Sequence, residues 1–165
     1  MRSASENRGS RRSQGKRRRF RILNRKGSEN LQKQEISHNT QELSSNQKGK
    51  HAELLAATAL LANGYSVMEP ISPQPYDLAV RRADGSTKYV QVKTAFKRDE
   101  KRYGGEYLVV RGAKNNGDVY TKDEVDLFVA VWDGDVYLFP NREVKEYWIR
   151  PEQIGEKWTK LERGI

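Results

Sequence analysis

Two short apolar runs, Tyr76-Asp-Leu-Ala-Val80 and Lys88-Tyr-Val-Gln-Val-Lys93, flank the turn-forming stretch Ala83-Asp-Gly-Ser86. Two such runs around an Asp-Gly pair predict a β-hairpin, with strands over about 76–82 and 87–95. Successive strand residues face opposite ways. Val90 and Val92 are therefore expected in the core, and Gln91 and Lys93 share the other face. If the strands pair across Asp84-Gly85, Asp77 lies near that same face.

Around the hairpin the pattern predicts a mixed α/β sheet flanked by helices. Ser45 or Asn46 is positioned to cap a helix from Lys48 to Asn63, with Leu54, Leu55, Ala57, Thr58, Leu61 and Ala62 at helical spacing and Asn63-Gly64 as the stop. Tyr65-Ser-Val-Met68 reads as a short strand, followed by a loop broken by Pro70, Pro73 and Pro75. Lys97 to Gly105 reads as a charged loop and Tyr107-Leu-Val-Val110 as a strand. The nearly continuous apolar run within Asp123–Trp132 reads as a central strand covered on both faces. Val136-Tyr-Leu-Phe139 returns from the turn Asp133-Gly-Asp135, and Arg142 to Trp148 reads as a modest amphipathic helix.

The positive charge is concentrated at the start of the chain. The chain has 165 residues, and residues 1–45 hold 12 basic and 4 acidic side chains, against 19 and 18 in residues 46–165. Residues 1–45 offer little to bury and are expected to form a disordered Arg/Ser-rich tail, with residues 46–165 as the single folded domain. The run Lys16-Arg-Arg-Arg-Phe-Arg21 reads either as a solvated tail or as a phosphate attractor. Cysteine is absent, which excludes disulfides and thiolate metal sites, and two histidines are too few for a histidine-based zinc centre. No stretch approaches the roughly 18 apolar residues of a membrane span. The expectation is a cytoplasmic or nucleoid-associated protein.

Four polar residues then combine into one chemistry. Glu53 lies 24 residues before Asp77, on the helix opened by Lys48-Gly-Lys-His-Ala-Glu53. An acid at one end of a hairpin and Gln-x-Lys on its return can hold a hard divalent cation beside a lysine. Asp77 is the expected main metal ligand, with the Gln91 side-chain carbonyl and the Val92 main-chain carbonyl as neutral oxygen donors. Glu53 reaches the metal directly or through water. Such a cation activates water and binds a scissile phosphate, while Lys93 orients the hydroxide or offsets phosphate charge. Taken singly, each residue has a plainer reading. Asp77 can make a turn hydrogen bond, Gln91 and Lys93 can be a solvated face, and Glu53 with Lys50 can be a helix-surface pair.

Gly49-Lys-His-Ala-Glu53, Tyr76-Asp-Leu-Ala-Val80 and Tyr89-Val-Gln-Val-Lys-Thr94 resemble the PD-(D/E)XK endonuclease superfamily over about residues 47–140. They are most similar to its branch of group I intron-encoded homing endonucleases, and more loosely to archaeal Holliday-junction resolvases. The resemblance implies a restriction-endonuclease-like core, dependence on Mg²⁺ (or Mn²⁺), and DNA as substrate. Carried over by position, it makes Glu53, Asp77, Gln91 and Lys93 the active-site set. Two departures stand out: Tyr76 rather than proline precedes Asp77, and Gln91 replaces the usual acid, which the homing branch tolerates.

For holding double-stranded DNA, the candidates are Lys48 and Lys50 at the helix start, Lys97, Arg98, Lys101, Arg102 and Tyr103 in the charged loop, and Lys114 in Lys114-Asn-Asn-Gly117. Cutting both strands with one site per chain implies a homo-oligomer, a dimer or tetramer, with Tyr137 and Phe139 or Tyr147-Trp148 as contacts. A site-specific homing-type endonuclease is the leading reading. The alternatives are a junction or repair nuclease and a DNA-binding protein that keeps the fold without hydrolysis.

Overall fold

The computed structural model describes residues 42–101 and 104–164, so the expectation for the tail lies outside the described residues except at its last few positions. Helix α1, Ser45–Ala62, begins inside that assigned tail. Its cap is Ser44, one residue before the expected cap: Gln47 N–H donates to Ser44 Oγ at 3.4 Å, and Ser44 N–H donates to Gln47 Oε1 at 2.9 Å. The helix stops at Asn63-Gly64 as the sequence predicts, with Gly64 in the left-handed region at φ 83°.

The buried face of α1 differs from the expected one. Ala52, Ala56, Ala59 and Leu60 are buried, whereas Leu54 and Leu61 are more than half exposed. A stripe of alanines lets the helix axis approach the sheet closely, a seam that side-chain size alone does not reveal.

The sheet under α1 has six strands in the order β1-β2-β3-β6-β7-β9. These are β1 Ser66–Met68, β2 Leu78–Arg81, β3 Thr87–Thr94, β6 Leu127–Trp132, β7 Asp135–Pro140 and β9 Thr159–Leu161. The expected hairpin is β2–β3, with Leu78 opposite Val90 and Arg81 opposite Thr87. Gly85 takes φ 83° in its turn, and Asp84 Oδ1 accepts from Ser86 N–H at 2.8 Å. β3 runs parallel to β6, and β6 antiparallel to β7. β6 is the central strand, buried along its middle.

A second sheet, β4-β5-β8, is made of Phe96–Glu100, Gly105–Arg111 and Glu146–Ile149. It overturns two expectations. The first part of the charged stretch, Lys97 to Glu100, is not loop but belongs to edge strand β4, whose charges are matched across the sheet by Lys97–Glu106 at 2.8 Å and Arg98–Glu146 at 3.2 Å. The segment Arg142–Trp148 is not a helix. Glu143 takes a left-handed φ of 56°, and Tyr147 and Ile149 point inward as β8 pairs with β5. A 3-10 turn, Pro151–Gln153, and a one-turn helix α2, Ile154–Lys157, lead into β9.

Alternation along the strands sorts the interior into two cores. Val90, Val92, Val129 and Val131 pack with the α1 alanines. Ala95, Phe128 and Ala130 face the other way, toward Leu108, Val110, Tyr120, Tyr137, Phe139, Tyr147 and Trp158. Tyr137, Phe139 and Tyr147 are thus interior residues, at most 7 % exposed, and not contacts for a second chain. Phe139 stacks on Trp158 at 4.4 Å. Trp148 is partly buried, with the Arg98 guanidinium 4.7 Å from its ring. No helix among the described residues is long and apolar enough to cross a membrane.

Candidate active site

Asp77 stands one residue before β2, where its N–H donates to Val90 O at 3.0 Å. That bond holds the carboxylate against the buried middle of β3, at Gln91 and Val92. Oδ2 accepts two hydrogen bonds there, from Val92 N–H at 2.8 Å and from Gln91 Nε2 at 2.5 Å. The backbone of β3 alternates in step: Tyr89 O accepts from Asp126 N–H and Ala95 N–H donates to Val131 O, both toward β6, while Val90 O and Val92 N–H turn toward Asp77. A strand residue directs its N–H and C=O to the same side. The Val92 carbonyl therefore lies on the Asp77 side, past the first residue of β2.

Burial shifts both charged groups here. The Asp77 carboxyl is raised above its ordinary value, first by desolvation, against the opposing pull of the Val92 N–H; Glu53 pushes it further up, and Lys93 and Gln91 draw it down. The Lys93 ammonium is lowered, again first by desolvation, with Asp77 opposing and Arg111 reinforcing. Lys93 has no ion pair with an acid among the described residues; its Nζ donates to Tyr120 Oη at 3.4 Å.

Asp77 forms the shared wall of two clefts. One, of about 450 Å³, is lined by Gln74, Asp77, Gln91, Lys93, Lys114, Tyr120 and Glu124, among others. The other, of about 330 Å³, is lined by Lys50, Glu53, Glu69, Gln74 and Asp77 together with the proline loop. Glu53 and Lys93 thus approach Asp77 from different clefts. Glu53 is held by Lys50 at 3.0 Å, and Lys50 also reaches Glu69 at 3.1 Å.

Among the described residues, the two buried polar side chains, Gln91 and Asn141, differ in how completely they are bonded. Asn141 donates to the carbonyls of Tyr120, Thr121 and Val125 and accepts from Glu143 N–H and Tyr147 Oη. It is a fully used structural amide. Gln91 makes one side-chain bond, to Asp77, and no buried side-chain oxygen or nitrogen among the described residues is left without a partner. Gln91 Oε1 and Asp77 Oδ1 are consequently not sealed in the interior.

These donors suit a hard divalent cation. Asp77 Oδ1, Gln91 Oε1 and the Val92 carbonyl are all oxygens, the first two from residues that line one cleft, with Glu53 as a second carboxylate in the cleft on the other side of Asp77. No group of three or more His, Cys, Asp or Glu among the described residues is arranged to hold a metal. One or two carboxylates with neutral oxygens is a donor set suited to magnesium, which retains waters and substrate oxygens as its other ligands.

The expected DNA contacts divide. Lys50 and Lys114 line the two clefts, and Lys114 is tied to Glu124 at 2.6 Å. Lys48 and Lys101 are exposed and line neither. Lys97 and Arg98 belong to the second sheet, and Lys97 lines another cleft with Trp132 and Asp135. Arg102 and Tyr103 lie outside the described residues. Sequence reasoning missed Gln74, Glu69, Tyr120, Glu124 and Arg111. Only Gln74 carried a local signal: a polar residue between Pro73 and Pro75, three positions before Asp77.

No curated protein matches the chain. Among solved structures, the fold is similar to that of a bacterial homing endonuclease, with a TM-score of 0.52 and 24 % identity over 66 % of this chain and 79 % of that one. Residues 43–152 match the PD-(D/E)XK endonuclease family, and the chain belongs to that family.

Proposed function

We propose that the protein is a Mg²⁺-dependent DNA endonuclease (Mn²⁺ serving in its place), of the site-specific homing type, with Glu53, Asp77, Gln91 and Lys93 as its active-site residues. The observation that carries this reading is the anchoring of Asp77 Oδ2 by the β3 backbone and Gln91, in a residue that lines the same cleft as Lys93. Asp77, Gln91, the Val92 carbonyl and Glu53 hold the cation, which when bound supplies a Lewis acid for the scissile phosphate and its attacking water. Lys93, desolvated and without an acidic partner among the described residues, offers its charge to the phosphate. Lys50 and Lys114 border the two clefts and hold flanking phosphates, while the tail, with 12 basic residues to 4 acidic in its 45, adds sequence-independent attraction.

The homing reading rests on Gln91 in place of an acid and on the kind of enzyme the structural neighbour is. Cutting both strands calls for a second copy of the chain. One observation favours a hydrolytically silent DNA-binding protein instead: the amide at 91 spends a donor on the Asp77 carboxylate where an acid would add a ligand charge.

The deciding experiment offers a supercoiled plasmid library and a synthetic four-way junction to the full-length protein with Mg²⁺, then Mn²⁺, beside Lys93→Ala. Metal-dependent cutting at one mapped sequence, lost in the variant, is the expected result. Cutting confined to the junction selects the resolvase reading. DNA binding with no cutting under either metal selects the silent binder.

A further inference from the structure

The nitrogen of Lys93 ends a chain of four rotatable bonds, and no carboxylate within ion-pair distance holds it among the described residues. A lysine loses rotamer freedom when fixed, so something must define its position for it to meet a phosphate reproducibly. Tyr120 is the group in contact: its hydroxyl is 3.4 Å from Lys93 Nζ, and its ring centroid is 5.2 Å from the same nitrogen.

Tyr120 is itself rigidly placed. It is 8 % exposed, its ring meets Phe128 edge-on at 5.8 Å, and its carbonyl accepts from the buried Asn141 amide at 2.9 Å. Its ring also takes a second ammonium, Lys114 Nζ at 5.6 Å, which Glu124 fixes from the other side at 2.6 Å. Tyr120, Lys93, Lys114 and Asp77 all line one cleft. A ring face and a hydroxyl oxygen attract an ammonium without neutralising it, so Lys93 is located while its charge stays available. A carboxylate in that place would locate it equally well and cancel the charge the phosphate needs.

We propose that Tyr120 is the positioning residue for Lys93, its hydroxyl, backed by the ring, holding the Lys93 ammonium toward the path of one DNA backbone. The proposal deepens the nuclease reading and rests on it for its kinetic effects, but not for the contact itself.

The test compares wild type with Tyr120→Phe, which keeps the ring and its packing on Phe128, and with Tyr120→Leu, which removes both. In the metal-free protein, carbon-13 relaxation of the Lys93 ε-carbon, assigned by its absence in Lys93→Ala, reads the order of the side chain. Tyr120→Phe is expected to melt as wild type does, to loosen Lys93, and to lower kcat about tenfold at unchanged KM. Tyr120→Leu is expected to loosen it further and to weaken DNA binding in addition. Unchanged Lys93 order in Tyr120→Phe overturns the proposal, whatever the activity does. So does a loss of kcat that merely tracks a loss of folded protein. If wild type cuts no DNA with either metal, the nuclease reading fails, and the relaxation measurement alone decides the role of Tyr120.

Discussion

Two aspartates of this protein sit beside cations and respond in opposite ways. Asp135, at the start of β7, accepts from Lys160 at 2.8 Å, from Tyr137 at 3.2 Å and from Arg163, and its carboxyl falls to about 2. The hydrogen bond from Lys160 is the main cause, followed by Arg163. Asp77 lies near Lys93 without pairing with it, accepts from a backbone N–H and an amide, and rises because it is buried. At Asp135 the charges satisfy one another and clip the C-terminal strand to β7. At Asp77 and Lys93 they are desolvated, line one cleft and form no ion pair with each other. Perturbed groups of this second kind gather where chemistry is done.

The largest way to break the comparison is Asp77→Asn. Cleavage should fall by at least about a thousandfold, while the melting temperature holds or rises. The sign follows from linkage: a carboxyl raised on folding opposes the folded state once it is ionised, so removing its charge relieves the fold at neutral pH. A clear drop in melting temperature would make Asp77 a structural acid like Asp135.

Gln91→Glu should come next. A second carboxylate beside Asp77 should tighten Mg²⁺ or Mn²⁺ by about tenfold, or about 1.4 kcal/mol, in a metal titration. Equal or tighter binding by wild type would sink the low-charge account of the site.

The pH dependence sharpens the contrast. Protons compete with metal for Asp77, so apparent metal affinity should weaken already above the ordinary aspartate range as pH falls. The contribution of Asp135 to stability is present above its unfolded value near 3.8 and is lost as pH falls through about 2. Metal titrations and acid unfolding curves should therefore respond in different windows; a shared window would merge the two aspartates into one kind.

The smallest effect belongs to Asp135→Ala. Exposed ion pairs contribute little, about 1 kcal/mol or less, which in a protein of this size is a melting-temperature loss of about 2–4 °C. Cleavage should be unchanged, since Asp135 lines neither cleft at Asp77, and a loss of activity would tie β9 to the site.

Much of the arrangement of the candidate site was legible because strand periodicity is a local property. Gln91 and Lys93 had to share a face once Val90 and Val92 were assigned to the core, and Asp84-Gly85 set the return of the hairpin. The Asp77–Val92 bond was less visible, since a side chain replacing a ladder bond at a strand end leaves no pattern. Tyr120 was invisible: it stands on the stretch between β5 and β6 and reaches Lys93 only when the two sheets close on each other. The helix shows the limit from another direction, since Leu54 and Leu61 looked like core and Ala52 and Ala56 are core. Lys97 and Arg98 looked like loop because their cross-strand partners, Glu106 and Glu146, are distant in sequence.

By itself, then, the sequence determined the α1 stop, the β2–β3 hairpin, the buried β6 and the order Glu53, Asp77, Gln91, Lys93, because turn chemistry and hydrophobic period act over a few residues. Tertiary structure decided which helix face is covered, that the segment after Arg142 pairs as a strand, and that Lys93 rests on a tyrosine rather than an acid. Those outcomes depend on which surfaces meet across the two sheets, and burial energy is settled only when the partner surface is in place.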